Sequence, residues 1–227
     1  MAQKDEEKIV TLMETIHRLL PEIDEILLEN AKRDLSRLLQ QDKMMVIMVG
    51  SPRSGKSDFV TKFVLPHARG IQVVDNDQIS GFFTKDSNTY HRGSTRIGLE
   101  LIGHAIKNRW KKSVLYDSTG RDLARIKSVT DMAREASYNI VIIHVLSPLK
   151  DTLKRNNKSS RYVDPNYLKL VWYESQSHMK QIYKMTDPLG YFVIFNSDDA
   201  PIGWYRYNGQ KVTKEEMMPL LANLIGG

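Results

Sequence analysis

The sequence predicts an α/β fold: a parallel five-stranded sheet with helices on both faces, an N-terminal helical extension and a C-terminal hairpin. Three observations carry this expectation. Five short, continuous apolar runs read as strands buried on both faces: MMVIMVG from Met44, IQVVD (71–75), SVLYD (113–117), NIVIIHVL (139–146) and YFVIF (191–195). Helical stretches lie between them, at about 55–66, 93–109, 121–136 and 165–185, and strands alternating with helices imply parallel crossovers. The chain has 227 residues, 41% hydrophobic and 26% charged, enough for one core on each side of a sheet.

In chain order, the first element is helical. Ile9, Leu12, Met13, Ile16, Leu19, Leu20, Ile23, Ile26 and Leu27 recur at three- and four-residue spacing. Pro21 interrupts the run, so two helices are expected, roughly 6–19 and 22–40. They divide the chain into an extension, 1–42, and a main domain, 43–227. Their apolar stripe packs on that domain or meets a protein partner. After the fifth strand, GWYRYNGQKV carries Asn208-Gly209, a hairpin signal, and a short helix over about 214–224 closes the chain.

Composition narrows the function classes. No run approaches 18 apolar residues, so no membrane span is expected, and the charged start MAQKDEEKIV lacks the pattern of a secretory signal. There is no cysteine, which removes disulfides, thiolate metal sites and a thiol nucleophile, and fits a cytoplasmic location. The six histidines have no metal-ligand spacing. The formal net charge is +6, yet residues 1–40 hold 6 basic and 9 acidic side chains, so the main domain is the basic part. A basic body favours anionic ligands such as nucleotides or nucleic acid, and also serves solubility alone.

The chemistry-bearing segments fall at the carboxyl ends of predicted strands, where sheets of this kind bind ligands. Gly50-Ser51-Pro52-Arg53-Ser54-Gly55-Lys56-Ser57 fits G-x-x-x-x-G-K-[ST] between a strand and a helix. Its glycines permit a tight loop whose amides face phosphate oxygens, and the following helix adds its positive end. Lys56 places charge on the β- and γ-phosphates, and the Ser57 hydroxyl ligates Mg²⁺. The nucleotide site is therefore read as Gly50 through Ser57 with Asp58, and ATP with Mg²⁺ as the cofactors.

Two further strand ends supply carboxylates. IQVVDNDQIS ends in Asp75-Asn76-Asp77. Phosphoryl transfer to a hydroxyl needs a group that takes the proton, and Asp77 is the candidate; Asp75 binds acceptor or bonds local backbone as turn aspartates do. SVLYDSTGRD ends in Asp117-Ser118-Thr119-Gly120-Arg121-Asp122. Asp117 suits a Mg²⁺-bound water or the acceptor, Thr119 the acceptor, and Arg121 a phosphate on it; a helix cap from Ser118, Thr119 or Asp122 is compatible with all three. Further on, TLKRNNKSSRYVDP is polar and basic. It reads as a mobile loop whose Arg155, Lys158 and Arg161 close over the nucleotide, Arg155 and Arg161 clamping the transferred group, or as a solvated surface loop.

GSPRSGKS, VVDNDQ and YDSTGR together closely resemble the zeta toxin kinases, small P-loop kinases of the toxin–antitoxin type, over about residues 43–210. The resemblance extends to the wider polynucleotide kinase group. It implies the P-loop kinase fold and transfer of the ATP γ-phosphoryl, with Mg²⁺, to a sugar hydroxyl of UDP-N-acetylglucosamine. It also implies a general base at Asp77, the phosphate-loop lysine at Lys56, and acceptor residues at Asp117, Thr119 and Arg121. The chain departs from the zeta pattern at Asp117, where glutamate is usual. Its LKRNNKSSRYVDPNYL segment looks more like the lid of polynucleotide kinases, which makes a 5′-hydroxyl polynucleotide end the alternative acceptor and a non-catalytic ATP-binding interaction module a further alternative.

Overall fold

The computed structural model describes residues 25–68, 70–83, 91–107, 112–199 and 202–207. The expected helix over 6–19, the hairpin turn at Asn208-Gly209 and the helix over 214–224 lie outside them. Among the described residues no helix is long and apolar enough to cross a membrane.

Helix α1 (Glu25–Leu39) precedes β1 (Met44–Val49). Three helical segments, Lys56–Phe59, Val60–Val64 and Leu65–His67, then run together as α2, the middle one a π-type turn. Next come β2 (Gln72–Asp75), α3 (Asn76–Phe83), α4 (His91–Lys107), β3 (Val114–Asp117), α5 (Leu123–Glu135) and β4 (Asn139–Leu146). The described chain finishes with α6 (Leu149–Asn157), α7 (Pro165–Ser177), α8 (Met179–Thr186), β5 (Gly190–Phe195) and β6 (Gly203–Tyr207).

The sheet has six strands in the order β2-β3-β1-β4-β5-β6, not the five expected. The first five are parallel, as their apolar runs predict; β6, the first arm of the expected hairpin, adds antiparallel to β5. Successive strand residues face opposite layers. Met45, Ile47 and Val49 join Tyr116, Ile142, Val193 and side chains of α4, α5, α7 and α8 in one core. Met44, Val46 and Met48 join Val141, Ile143, Phe192 and Ile194 in the other, with Leu35 and Leu39 of α1 and Phe59 and Phe63 of α2. Every residue of β1 is buried, which explains its unbroken apolar run.

Helix α1 is tied to the far edge of the sheet. Arg206 Nη1 of β6 lies 2.7 Å from Asp34 Oδ2. Trp204 packs its ring 5.1 Å from Phe59 and 4.5 Å from Phe63, so β6 also braces the helix behind the phosphate loop.

The expected single helix over 165–185 is two. His178 closes α7 and opens α8, and its Nδ1 donates to the Gly120 carbonyl at 3.0 Å instead of pointing along a continuous helix face. Two helices appear where none was expected. In α6 the buried residues are Asp151, Thr152 and Asn156, so no apolar period marks it. The other, α3, is eight residues long and begins directly at the end of β2.

Candidate functional site

The motif Gly50–Ser57 joins β1 to α2. Gly55 has φ +98°, a left-handed conformation natural for glycine, and a Cβ there would stand 1.9 Å from Asn196 Nδ2. The carbonyls of the loop are held from outside. Arg155 Nη1 donates to the Arg53 and Ser54 carbonyls (3.1 and 3.4 Å), and Asn196 Nδ2 donates to the Ser54 carbonyl (2.7 Å). Arg53 itself is left-handed at φ 66°, which helps turn its carbonyl to this side. Lys56 Nζ donates to the Gly50 and Ser51 carbonyls (2.7 and 3.2 Å) and stands 3.8 Å from Asp117 Oδ1.

Parallel pairing brings the other two strand ends alongside. Met48 pairs with Asp117 and Asp75 with Asp117 in register, so the loop, the Asp75–Asp77 run and the Asp117–Arg121 run share one sheet edge. Asp75 Oδ1 accepts from the amides of Asp77 (2.8 Å) and Gln78 (3.4 Å), the local backbone role left open for it. Asp77 thereby sits in the first turn of α3, not in a loop, and its carboxylate is exposed. Arg161 Nη2 bonds Asp77 Oδ1 at 2.8 Å. Arg53 Nη2 in turn donates to the Arg161 carbonyl.

Asp117 is largely buried at the end of β3, and its Oδ1 is buried with no hydrogen-bond partner. Burial pushes its carboxyl up to about 6, against the pull of Lys56; Asp75 and Asp77 push the same way as burial. Such an orphaned oxygen, beside the exposed Ser57 hydroxyl, is a hard-oxygen donor set that fits Mg²⁺. Among the described residues no cluster of three or more His, Asp or Glu could hold a metal unaided. Thr119 Oγ1 accepts from the Arg121 amide at 3.4 Å, and Asp122 caps α5 by accepting from the Arg125 amide at 3.0 Å. Arg121 Nε lies 2.5 Å from Glu174 Oε2, and its guanidinium stacks 5.5 Å from the centre of the Tyr167 ring.

Two clefts meet here. One, about 930 Å³, is lined by Pro52, Arg53, Gly55, Ser57 and Asp58 on one side and Arg155, Arg161 and Val163 on the other. The second, about 430 Å³, is lined by Asn76, Tyr116, Ser118, Arg121, Asp122 and Arg125. Lys56, Asp75, Asp77, Asp117, Thr119 and Tyr167 line both. Asp58, at the rim, forms an exposed pair with Lys62 at 2.9 Å.

The basic segment expected as one mobile loop is part helix, part loop. Arg155 lies in α6 and is bound by Asp198, Ser147 Oγ and the loop carbonyls. Only residues after Asn157 leave the helix. Their loop is closed at its neck by Asn156, whose side-chain amide both accepts from the Val163 amide (3.0 Å) and donates to the Val163 carbonyl (2.7 Å). Arg161 rides on this loop. Asn196, Glu174, Arg125 and Tyr167 are site residues that no motif points to; the partners of Asn196 and Glu174 lie far away in sequence.

A putative bifunctional polynucleotide phosphatase/kinase of Acanthamoeba polyphaga mimivirus is 26% identical over 144 residues, 62% of this chain and 29% of the relative. The L-seryl-tRNA(Sec) kinase of Methanococcus maripaludis is 27% identical over 134 residues, 57% of this chain and 51% of the relative. The chain thus spans about half or less of the curated relatives it matches. The crystal structure of AvrRxo1-ORF1:-ORF2 with ATP superposes with a TM-score of 0.65 at 14% identity, covering 99% of this chain and 72% of that one, a likeness of fold. The family model described as Zeta toxin matches residues 28–203, a span that takes in the phosphate loop, both carboxylate-bearing strand ends and the lid, and the chain belongs to the zeta toxin family.

Proposed function

We propose that the protein is an ATP- and Mg²⁺-dependent kinase that moves the γ-phosphoryl group to a hydroxyl of a nucleotide sugar such as UDP-N-acetylglucosamine. The observation that carries this reading is the junction of the two clefts at Asp77, Lys56 and Asp117. The larger cleft, floored by the phosphate loop, takes the nucleotide, and the smaller one takes the acceptor.

The loop amides and Lys56 hold the polyphosphate, whose oxygens are stronger acceptors for the ammonium than the Gly50 and Ser51 carbonyls. Ser57 and Asp117 would hold Mg²⁺, which neutralises charge on the β- and γ-phosphates. Asp77 accepts the hydroxyl proton, the acceptor oxygen forms its bond to the γ-phosphorus, and the bond to the ADP oxygen breaks. Arg161 pairs with Asp77 in this structure and lines the nucleotide cleft, from which it would reach the transferring group. Arg53 is drawn below the usual guanidinium range by burial and by its neighbour Arg161, a crowding of cations that bound phosphate relieves. Thr119 and Arg121 place the acceptor, and the outer cations exclude water.

A 5′-hydroxyl polynucleotide is the second reading, favoured by the polynucleotide phosphatase/kinase among the relatives. Radiolabelled ATP offered with UDP-N-acetylglucosamine and, separately, with a 5′-hydroxyl oligonucleotide tests both. Label on the sugar nucleotide supports the first reading, and label on the oligonucleotide alone replaces it with the second. ATP binding with no transfer to either leaves a nucleotide-binding module, and the N-terminal extension then becomes the candidate partner surface.

A further inference from the structure

Arg121 is held on two sides by α7. Its Nε lies 2.5 Å from Glu174 Oε2, an ion pair in which that buried oxygen makes no hydrogen bond, and its flat face covers the Tyr167 ring. Tyr167 and Glu174 are seven residues apart, two turns along one face of the same helix. The backbone beside Arg121 is anchored to the same region. His178 donates to the Gly120 carbonyl, and Gly120, at φ +79°, lies where a Cβ would meet Val49 at 2.4 Å and Ser175 Oγ at 3.7 Å. Within the motif, Ser118 and Thr119 bond the Gly120 and Arg121 amides, whereas the guanidinium itself is held by α7.

We infer that Glu174 is a positioning residue for the acceptor: it fixes the guanidinium of Arg121 so that the two terminal nitrogens face the smaller cleft and grip an anionic group, phosphate or carboxylate, on the acceptor. A guanidinium offers five N–H donors in a rigid fork. With its Nε side in ion contact with Glu174 and one face on Tyr167, the Nη edge is the part left to engage a ligand in two parallel bonds. The carboxylate is on α7 rather than on the acceptor loop, so the cleft's anion specificity depends on a helix outside the family's strand-end motifs. The inference rests on the kinase reading for its function, but not for its geometry.

Two readouts separate these. The Nε–Hε resonance of Arg121, identified by its loss in Arg121→Lys, shows a side chain ordered on the picosecond–nanosecond timescale in the wild type and a mobile one in Glu174→Ala. Equal side-chain order in both proteins overturns the inference whatever the protein's activity. With whichever of UDP-N-acetylglucosamine or the 5′-hydroxyl oligonucleotide is phosphorylated, Glu174→Ala raises the acceptor KM about tenfold or more. It changes kcat less than about threefold and leaves the MgATP Kd unchanged. Glu174→Gln, which keeps an oxygen in place without the charge, recovers part of the KM. An unchanged acceptor KM in folded Glu174→Ala overturns the inference, as does an equal fall in kcat and MgATP affinity, which marks a merely structural role. If the wild type phosphorylates neither acceptor, the kinase reading fails and the Arg121 resonance alone decides whether Glu174 holds the guanidinium.

Discussion

Asp77 and Asp117 stand close in the same cleft and differ in what surrounds them. Asp77 is exposed and paired with Arg161. Asp77→Asn keeps the fold and MgATP binding by calorimetry, and lowers turnover of radiolabelled ATP onto acceptor by about 10²–10⁴-fold. Asp117 is buried and destabilised as an anion. Its folded-state carboxyl titrates above its unfolded value, so its burden is greatest above pH 6 and is relieved as pH falls toward 4. Asp117→Asn therefore raises stability near neutral pH, by about 2 kcal/mol in denaturant titrations, while abolishing turnover.

His144 works in the opposite sense. It is fully buried in β4, between the Tyr191 hydroxyl (2.9 Å) and the Ser175 hydroxyl (3.3 Å), and burial, with Lys56 nearby, pulls it down to about 3. The unfolded chain takes up this proton below about pH 6.5 and the folded chain does not, so stability is lost as pH falls from there toward 3. The two residues offset each other over pH 4–6. Stability measured across that range falls more steeply with acid in Asp117→Asn than in the wild type; parallel profiles would refute the assignment.

Among the elements, the turn between β1 and α2 is the most constrained. Gly55→Ala forces a Cβ onto Asn196 at a positive φ and is expected to weaken MgATP binding and cost about 1–3 kcal/mol of stability. Adding Asn196→Ala removes the clash but not the backbone strain, so the double variant recovers only part of the loss in a double-mutant cycle. These elements also show what a single sequence reveals. The five parallel strands were legible because burial on both faces leaves unbroken apolar runs, and Gly50–Ser57 because a phosphate cradle needs glycine and lysine at fixed spacing. Helix α6 was hidden because its buried face is Asp151, Thr152 and Asn156, whose polar groups find partners in the Ser197–Asp198 loop, the Pro148 carbonyl and Val163. Asp75 carried two readings and Asp122 only that of a cap; both side chains cap helices, a choice set by backbone amides two and three residues on. Asn196 could not be found from motif or period, since it meets Ser54 across 142 positions.

For the whole molecule, the sixth strand matters most. It joins α1, β5 and α2 through Arg206 and Trp204, elements from both ends of the described chain. Trp204→Ala removes the ring that packs on Phe59 and Phe63, with an expected loss of about 3–4 kcal/mol, read as a lowered denaturation midpoint, and with weaker MgATP binding because α2 carries Lys56 and Ser57. The charge of +6 gives a separate test of the acceptor. Binding of a 5′-hydroxyl oligonucleotide would weaken steeply with added salt, whereas binding of a sugar nucleotide would respond far less.

The small loop behind Arg161 has its two ends laced together by Asn156, leaving only a short arc able to swing. Entry of a nucleotide would then need two contacts to open, Arg161 with Asp77 and Arg53 with the Arg161 carbonyl, while the neck at Asn156 stays closed. On the kinase reading, a viscosity dependence of turnover would tell pacing by product departure from pacing by chemistry.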